Sequence, residues 1–178
     1  SIFCFKLQFE IIKKVDMYNK TLFMIKTYMS FYNSLVEMTR NKDLYKNFKS
    51  QDEFSDRLVF FLIHLAFFFK VFKKEENTKD LQEIYDFIFR QLELSIREIG
   101  YGDQSINKKM KNYLNLFHSL IDKIHYWNDL EDNKKTEIFD TFIENSSNNQ
   151  FLTEYFNNYY NILKNNTLNS YLKSVVKA

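Results

Sequence analysis

The chain has no proline and only two glycines among its 178 residues. With so few breakers, long helices are expected, and each glycine should mark a place where the backbone must turn. Both stand in one stretch, 96–103 (IREIGYGD). Gly100 reads as the stop of one long helix, and Gly102 with Asp103 as the hinge into the next. The single cysteine, Cys4, excludes an intrachain disulfide and suits a reducing compartment. Long apolar runs are also missing. The best, Leu58 to Phe69, contains His64, is followed by Lys70, and falls short of the about 20 apolar residues that span a bilayer. The N-terminus lacks the basic start and cleavage site of a secretory signal, so a soluble or at most peripheral protein is expected. There is no phosphate-binding loop, because the two glycines follow a helix rather than a strand. No nucleophile–base pair can be assembled either, and no catalytic activity is expected.

Charge of one sign is lacking too. The 25 basic and 23 acidic residues leave a net charge of +2. That balance argues against a dedicated DNA binder, which carries a strongly basic face. Aromatic residues, mostly Phe and Tyr, make up 19% of the chain alongside many Asn, Lys and Ile, a mixture that AT-rich coding explains. The length suits one domain with a sizeable core.

The periodicity predicts an all-α, single-domain bundle of about six helices. Residues 1–17 form an N-terminal extension in which Phe3, Phe5, Leu7, Phe9 and Ile11 alternate like a strand. Nothing downstream offers a strand partner, so a helical extension or loosely packed lead-in is expected there, ahead of a helical domain over 18–178. From Tyr18 the period is helical, with Leu22, Ile25, Met29, Tyr32, Leu35 and Val36 on one face, fading near Thr39 to Asn41. Ser50 to Glu53 is a capping-box pattern opening a helix over 54–72, apolar nearly all round and therefore central and most buried. His64 in its middle reads as a neutral, hydrogen-bonded core histidine. Thr78 is the expected cap of a helix over 79–99. Its apolar stripe is Leu81, Ile84, Tyr85, Ile88, Leu92, Ile96 and Ile99, and its charged stripe is Glu83, Asp86, Arg90, Glu93 and Arg97. Phe87 and Leu94 lie beside the charged stripe and suggest a second apolar contact, either a client or the N-terminal helix.

After the glycines, Asp103 or Ser105 is expected to cap a helix running to about Leu130. Its core face is Ile106, Met110, Tyr113, Leu114, Phe117, Leu120, Ile121, Ile124 and Trp127. Lys108, Lys109 and Lys111 occupy its first turns, where the helix dipole disfavours cations by roughly 0.3–1 kcal/mol each. Such a locally unfavourable choice points toward function, although Glu98 and Asp103 could neutralise it. A helix over 132–144 turns Ile138, Phe139, Phe142 and Ile143 inward, and a loop follows at 145–149. A helix over 150–164 carries Phe151, Leu152, Tyr155, Phe156, Tyr159, Ile162 and Leu163 as its apolar set. The tail at 167–176 is expected to fray. His118, Asp122 and His125 share one side of their helix, with Asp122-x-x-His125 at the spacing used in di-iron bundles. Those sites need two such motifs and further Glu residues, and this chain has one. No metal or cofactor is therefore expected, and a polar face with a local hydrogen bond is the simpler reading.

The glycine stretch also carries a resemblance. Residues 96–103 are similar to the L-R-E-M-G-x-G-D signature of the ubiquinol–cytochrome c chaperone family, assembly factors for respiratory complex III. Arg97, Glu98, Gly100, Gly102 and Asp103 match, and Ile96 and Ile99 replace Leu and Met. Glu93 stands where the family often has Asp, and Ile106 to Met110, with Lys108 and Lys109, resembles the basic segment after the signature. Upstream, Asp52, Arg57 and His64 fall at spacings similar to the family's D…R-F…H pattern, with Leu58 in place of the aromatic and Asp56 in place of Gly. The resemblance covers roughly 28–165.

The resemblance implies a non-enzymatic helical chaperone that binds cytochrome b or complex III assembly intermediates, acting with a small partner protein and the ribosome. Arg57 and His64 become family-matching core positions. Arg97, Glu98, Asp103, Lys108 and Lys109 become the implied partner surface, joined by a structural turn at Gly100 and Gly102. By this resemblance the chain is closest to an alphaproteobacterial-type member, cytoplasmic and peripheral at the inner membrane. Eukaryotic members act on the matrix side of the inner mitochondrial membrane. Two other readings stay open on the residues alone: a generic helical interaction or scaffold module, and a metal or cofactor bundle using His64, His118, Asp122 and His125.

Overall fold

The computed structural model describes residues 2–46, 48, 54–143 and 149–176, with the side chains of 2–7 and 9 outside that description. Among the described residues the chain is all-α, with seven α-helices and no strand. They are α1 (Ile2–Thr39), α2 (Phe54–Phe72), α3 (Thr78–Glu98), α4 (Asp103–Ile124), α5 (Asp132–Phe142), α6 (Gln150–Lys164) and α7 (Leu168–Val176). Short 3-10 turns lie at Lys42–Tyr45, Glu75–Asn77 and Trp127–Asp129. The backbone over 2–17 continues α1 instead of forming a separate element, so the alternating aromatics there sit on a helix.

Helix α2 is the centre. Leu58, Phe72 and every residue from Phe60 to Phe68 are buried, because a helix apolar on all sides can satisfy itself only inside other helices. It packs most closely on α4, and also on α1 and α6. The packing is largely aromatic. Phe67 stacks on Phe156 of α6 at 5.3 Å and meets the Trp127 ring edge-on at 4.9 Å. Phe68 lies 4.3 Å from Phe31 of α1. Offset and edge-on pairs add about 0.5–1.5 kcal/mol each beyond area burial. The capping box at Ser50 to Glu53 and most of the loop at 145–149 lie outside the described residues.

Several boundaries differ from the periodicity. Helix α4 ends at Ile124 instead of near Leu130, and Trp127 reaches the core from a 3-10 turn, its indole N–H donating to Asn157 Oδ1 at 3.0 Å. Thr78 is inside α3, and its hydroxyl donates to the Glu75 carbonyl at 2.9 Å; Asn77 occupies the cap position, and its side-chain amide donates back to the Phe72 carbonyl at 2.9 Å instead of capping α3. Ile99, Phe151 and Ile162 face solvent, while Phe89 and Thr153 are buried. In each case the stripe is real and its edge is displaced by one helical position. The tail does not fray. Leu168, Tyr171 and Leu172 bury α7 along α1, with the Tyr171 ring against Phe31, Phe68 and Phe72.

Helix α1 departs furthest from expectation. It contacts the body through Thr27, Tyr28, Phe31, Tyr32, Leu35 and Thr39, whereas Leu22 and Ile25 stand 46% and 48% exposed. Phe87 meets α1 edge-on at Tyr28, which settles that residue as packing against the N-terminal helix, and Leu94 remains exposed.

Candidate functional site at the turn between α3 and α4

The two longest amphipathic helices of the body meet at residues 99–102. Helix α3 ends because Gly100 adopts φ +102°, a left-handed conformation that side chains with a Cβ rarely adopt. Its N–H donates to the Arg97 carbonyl at 2.9 Å, satisfying one of the last free carbonyls of the helix. Gly102, at φ −73° and ψ 157°, is extended backbone open to any residue, and it occupies the N-cap of α4. The two glycines therefore differ in kind. Gly100→Ala should lower stability by about 1–2 kcal/mol through its backbone angle alone, since an added Cβ would meet nothing within 4 Å. Gly102→Ser should hold or raise stability by a few tenths of a kcal/mol, because serine caps a helix slightly better than glycine. Chemical denaturation of the two variants side by side checks both, and equal midpoints would show that the turn does not depend on the left-handed residue.

Around this backbone the structure brings two of the sequence-predicted residues, Arg97 and Asp103, into contact. Arg97 bridges the turn, donating from Nη1 to Asp103 at the first turn of α4 and from Nη2 to Glu93 at 2.9 Å. These hydrogen bonds, that to Asp103 foremost, raise the guanidinium pKa above its ordinary value. Asp103 is well placed in a second way, because a carboxylate in the first turn complements the helix dipole. Glu98 and Lys108 are exposed. Lys109 lies 4.5 Å above the ring of Tyr101, a cation–π contact that offsets its unfavourable place near a helix N-terminus. Tyr101 was not legible as a site residue, because its partner lies across the turn. Three large apolar side chains stand exposed at this end of the bundle: Leu94 at 42%, Ile99 at 55% and Tyr101 at 40%. The turn thus presents apolar surface edged by charges of both signs.

Arg57 and His64 lie apart from the turn, on α2. Arg57 is half-buried and lines a groove of about 290 Å³ with Tyr32, Phe54, Phe61, Leu92 and Ser95. His64 is wholly buried, with Nδ1 2.6 Å from the Phe60 carbonyl and Nε2 2.8 Å from the Tyr155 hydroxyl. A carbonyl only accepts, so Nδ1 carries the proton and the Tyr155 hydroxyl donates to Nε2. Burial pushes the imidazole pKa down from 6.5 to about 4, and the ring is neutral at ordinary pH.

The remaining histidines border a different groove, of about 730 Å³, between α2, α3 and α4. Phe69, Tyr85 and Phe117 contribute its aromatic lining, with Lys70, Lys73, His118, Asp122 and His125 around it. His118 Nε2 lies 3.4 Å from the Tyr85 hydroxyl, and Lys70 Nζ donates to the His125 carbonyl at 2.6 Å. His64 is not part of this groove. Among the described residues no group of three or more His, Cys, Asp or Glu side chains could hold a metal ion.

Residues 46–125 match the family model described as Ubiquinol-cytochrome C chaperone. Over this segment the chain is similar to the ubiquinol-cytochrome C chaperone family. The segment comprises α2, α3 and α4 and stops at His125, the residue that closes α4. The match is narrower than the resemblance at 28–165. It contains Arg57, His64, the whole α3–α4 turn and the groove beside His118, while α1 and α5–α7 lie outside it. No curated protein and no solved structure matches the chain significantly. The matched segment therefore forms the middle of this bundle, with the α3–α4 turn exposed at one end.

Proposed function

We propose that this protein is a non-enzymatic assembly chaperone for the ubiquinol–cytochrome c reductase complex, and that it holds cytochrome b or an assembly intermediate at the α3–α4 turn. One observation carries the reading. Inside the family segment, Glu98, Ile99 and Tyr101 of the signature stretch are exposed while Ile96 anchors it in the core, and Leu94 and Lys108 on either side of the stretch are exposed with them. Exposed apolar side chains rimmed by polar ones are the mark of a surface that meets another protein. Arg97 and Asp103 serve differently, fixing the angle between the two helices by pairing across the turn.

No helix among the described residues is long and apolar enough to cross a membrane. In this reading contact with the membrane is peripheral, made through a client that is itself embedded, and a small partner protein or the ribosome would be met in the same setting.

Charge reversal separates binding from folding. Lys108→Glu with Lys109→Glu places acids near a helix N-terminus, where the dipole favours them by about 0.3–1 kcal/mol each. The double variant should keep the wild-type melting temperature within a few degrees, the loss of the Tyr101 contact being offset by the helix dipole. It should capture much less cytochrome b from solubilised membranes than the wild type does. A folded double variant that captures cytochrome b as well as the wild type would refute this surface as the docking site.

A further inference from the structure

We infer that the N-terminal half of α1 is a coiled-coil seam that pairs with the same segment of a second copy of this chain. Along α1, Ile11, Val15, Tyr18, Leu22, Ile25, Met29, Tyr32 and Val36 recur at alternating steps of four and three. That spacing is an a/d heptad pattern sustained over several heptads, and it produces a narrow apolar stripe suited to one facing helix. A helix meant to lie on a globular body shows a broader stripe facing that body. The body takes α1 chiefly through Thr27, Tyr28, Phe31 and Leu35, set roughly a third of a turn from the seam, and covers the seam only at its lower end, where Met29, Tyr32 and Val36 pack on the core.

In the structure the upper part of the seam is uncovered. Ile11 is 54% exposed, Val15 51%, Tyr18 64%, Leu22 46% and Ile25 48%. From Glu10 to Leu22 every residue is exposed, so this part of α1 extends beyond the bundle. An isolated helix of this length gains little from packing and is marginal in water unless a partner covers its apolar side.

Two features favour a second copy. Side chains of this size at half exposure offer roughly 100 Å² apiece. Five from each copy give on the order of 1,000 Å² in total, the threshold of a specific interface, before Ile12 contributes at its flank. In a parallel, in-register pair the positions beside the seam bring Lys14 opposite Asn19 and Thr21 opposite Lys26, with no like charges facing. The seam lies outside the family segment at 46–125, so the inference does not depend on the chaperone reading.

Sedimentation equilibrium of the full chain over a wide concentration range tests it. The chain should approach twice its 21.8 kDa mass, and Val15→Lys with Leu22→Lys should return it to the monomer. Both substituted positions are exposed and lysine is a good helix former, so the far-ultraviolet circular dichroism per residue should show that the variant stays folded. Lys13→Ala with Lys20→Ala, on the opposite side of the helix, should leave the dimer intact. A wild-type chain that stays monomeric throughout, including one whose α1 is instead covered by a different protein, overturns the inference. So does a dimer that survives the seam substitutions or dissolves with the control.

Discussion

Tyr171→Ala should cost about 3–5 kcal/mol, the range for truncating a large buried aromatic side chain. Tyr171 belongs to the nine-residue helix α7 near the end of the chain, where a frayed tail would tolerate any substitution. It is only 6% exposed, and its ring lies 6.2 Å from Phe31, 5.8 Å from Phe68 and 5.9 Å from Phe72. Leu168 and Leu172 are buried beside it. Alanine would therefore leave a cavity between α1, α2 and α7, and helix propensity cannot compensate, since Ala gains well under 1 kcal/mol over Tyr. A loss of this size is a large part of the 5–15 kcal/mol by which a domain is stable. Urea denaturation of the variant measures it directly. A change within about 0.5 kcal/mol, as at an unconstrained surface site, would mean that α7 is not docked.

Acidification should remove about 3 kcal/mol of stability through His64 alone. The imidazole pKa falls from 6.5 to about 4 on folding, because burial penalises the charged form, and each pKa unit is worth about 1.4 kcal/mol. The sign follows from which state binds the proton first. Below pH 6.5 the unfolded chain takes up a proton that the folded chain refuses until about pH 4. The contribution is whole above the unfolded value, declines between the two, and is gone below the lower one. Tyr155 and Tyr159 surround the ring, their hydroxyls pushed up by burial, so neither offers it a counter-charge. Stability measured from pH 7 to pH 4 in wild type and in His64→Phe should give a shallower slope in the variant. As a check that survives poor folding of the variant, the His64 ring resonances of the wild type should not titrate between pH 7.5 and 5. Titration there would show that the ring is solvated.

How far the sequence reveals these features depends on what periodicity can encode. Helix α2 was legible because all-round apolarity has only one resolution, and α6 because Leu152, Phe156, Tyr159 and Leu163 hold one face for about three turns. Gly100 was legible because a chain nearly free of glycine places one where a side chain is strained. Gly102 could not be told apart from it, since its ordinary φ is a property of the backbone and not of the residue type. The docking of α7 was hidden because three inward residues in nine are too few to display a period. In α1 the period was read correctly and its meaning was not: a stripe shows that a helix has an apolar side, not what covers it.

The candidate site divides in the same way. Glu93–Arg97 pairing follows from i,i+4 spacing and is present. The seat of Lys109 over Tyr101 depends on how sharply the chain turns, which local spacing does not state. Ile99 illustrates the limit. Counted as the last residue of a core stripe, it instead faces outward where the helix ends, and so becomes part of the surface on which the proposed function rests.

The most direct test of that function is the amount of assembled ubiquinol–cytochrome c reductase in host cells lacking this protein, read on native gels of their membranes. The account predicts that the mature complex is strongly reduced, that the wild-type chain restores it, and that the folded Lys108→Glu, Lys109→Glu variant does not. A normal level of mature complex in cells without the protein would contradict it.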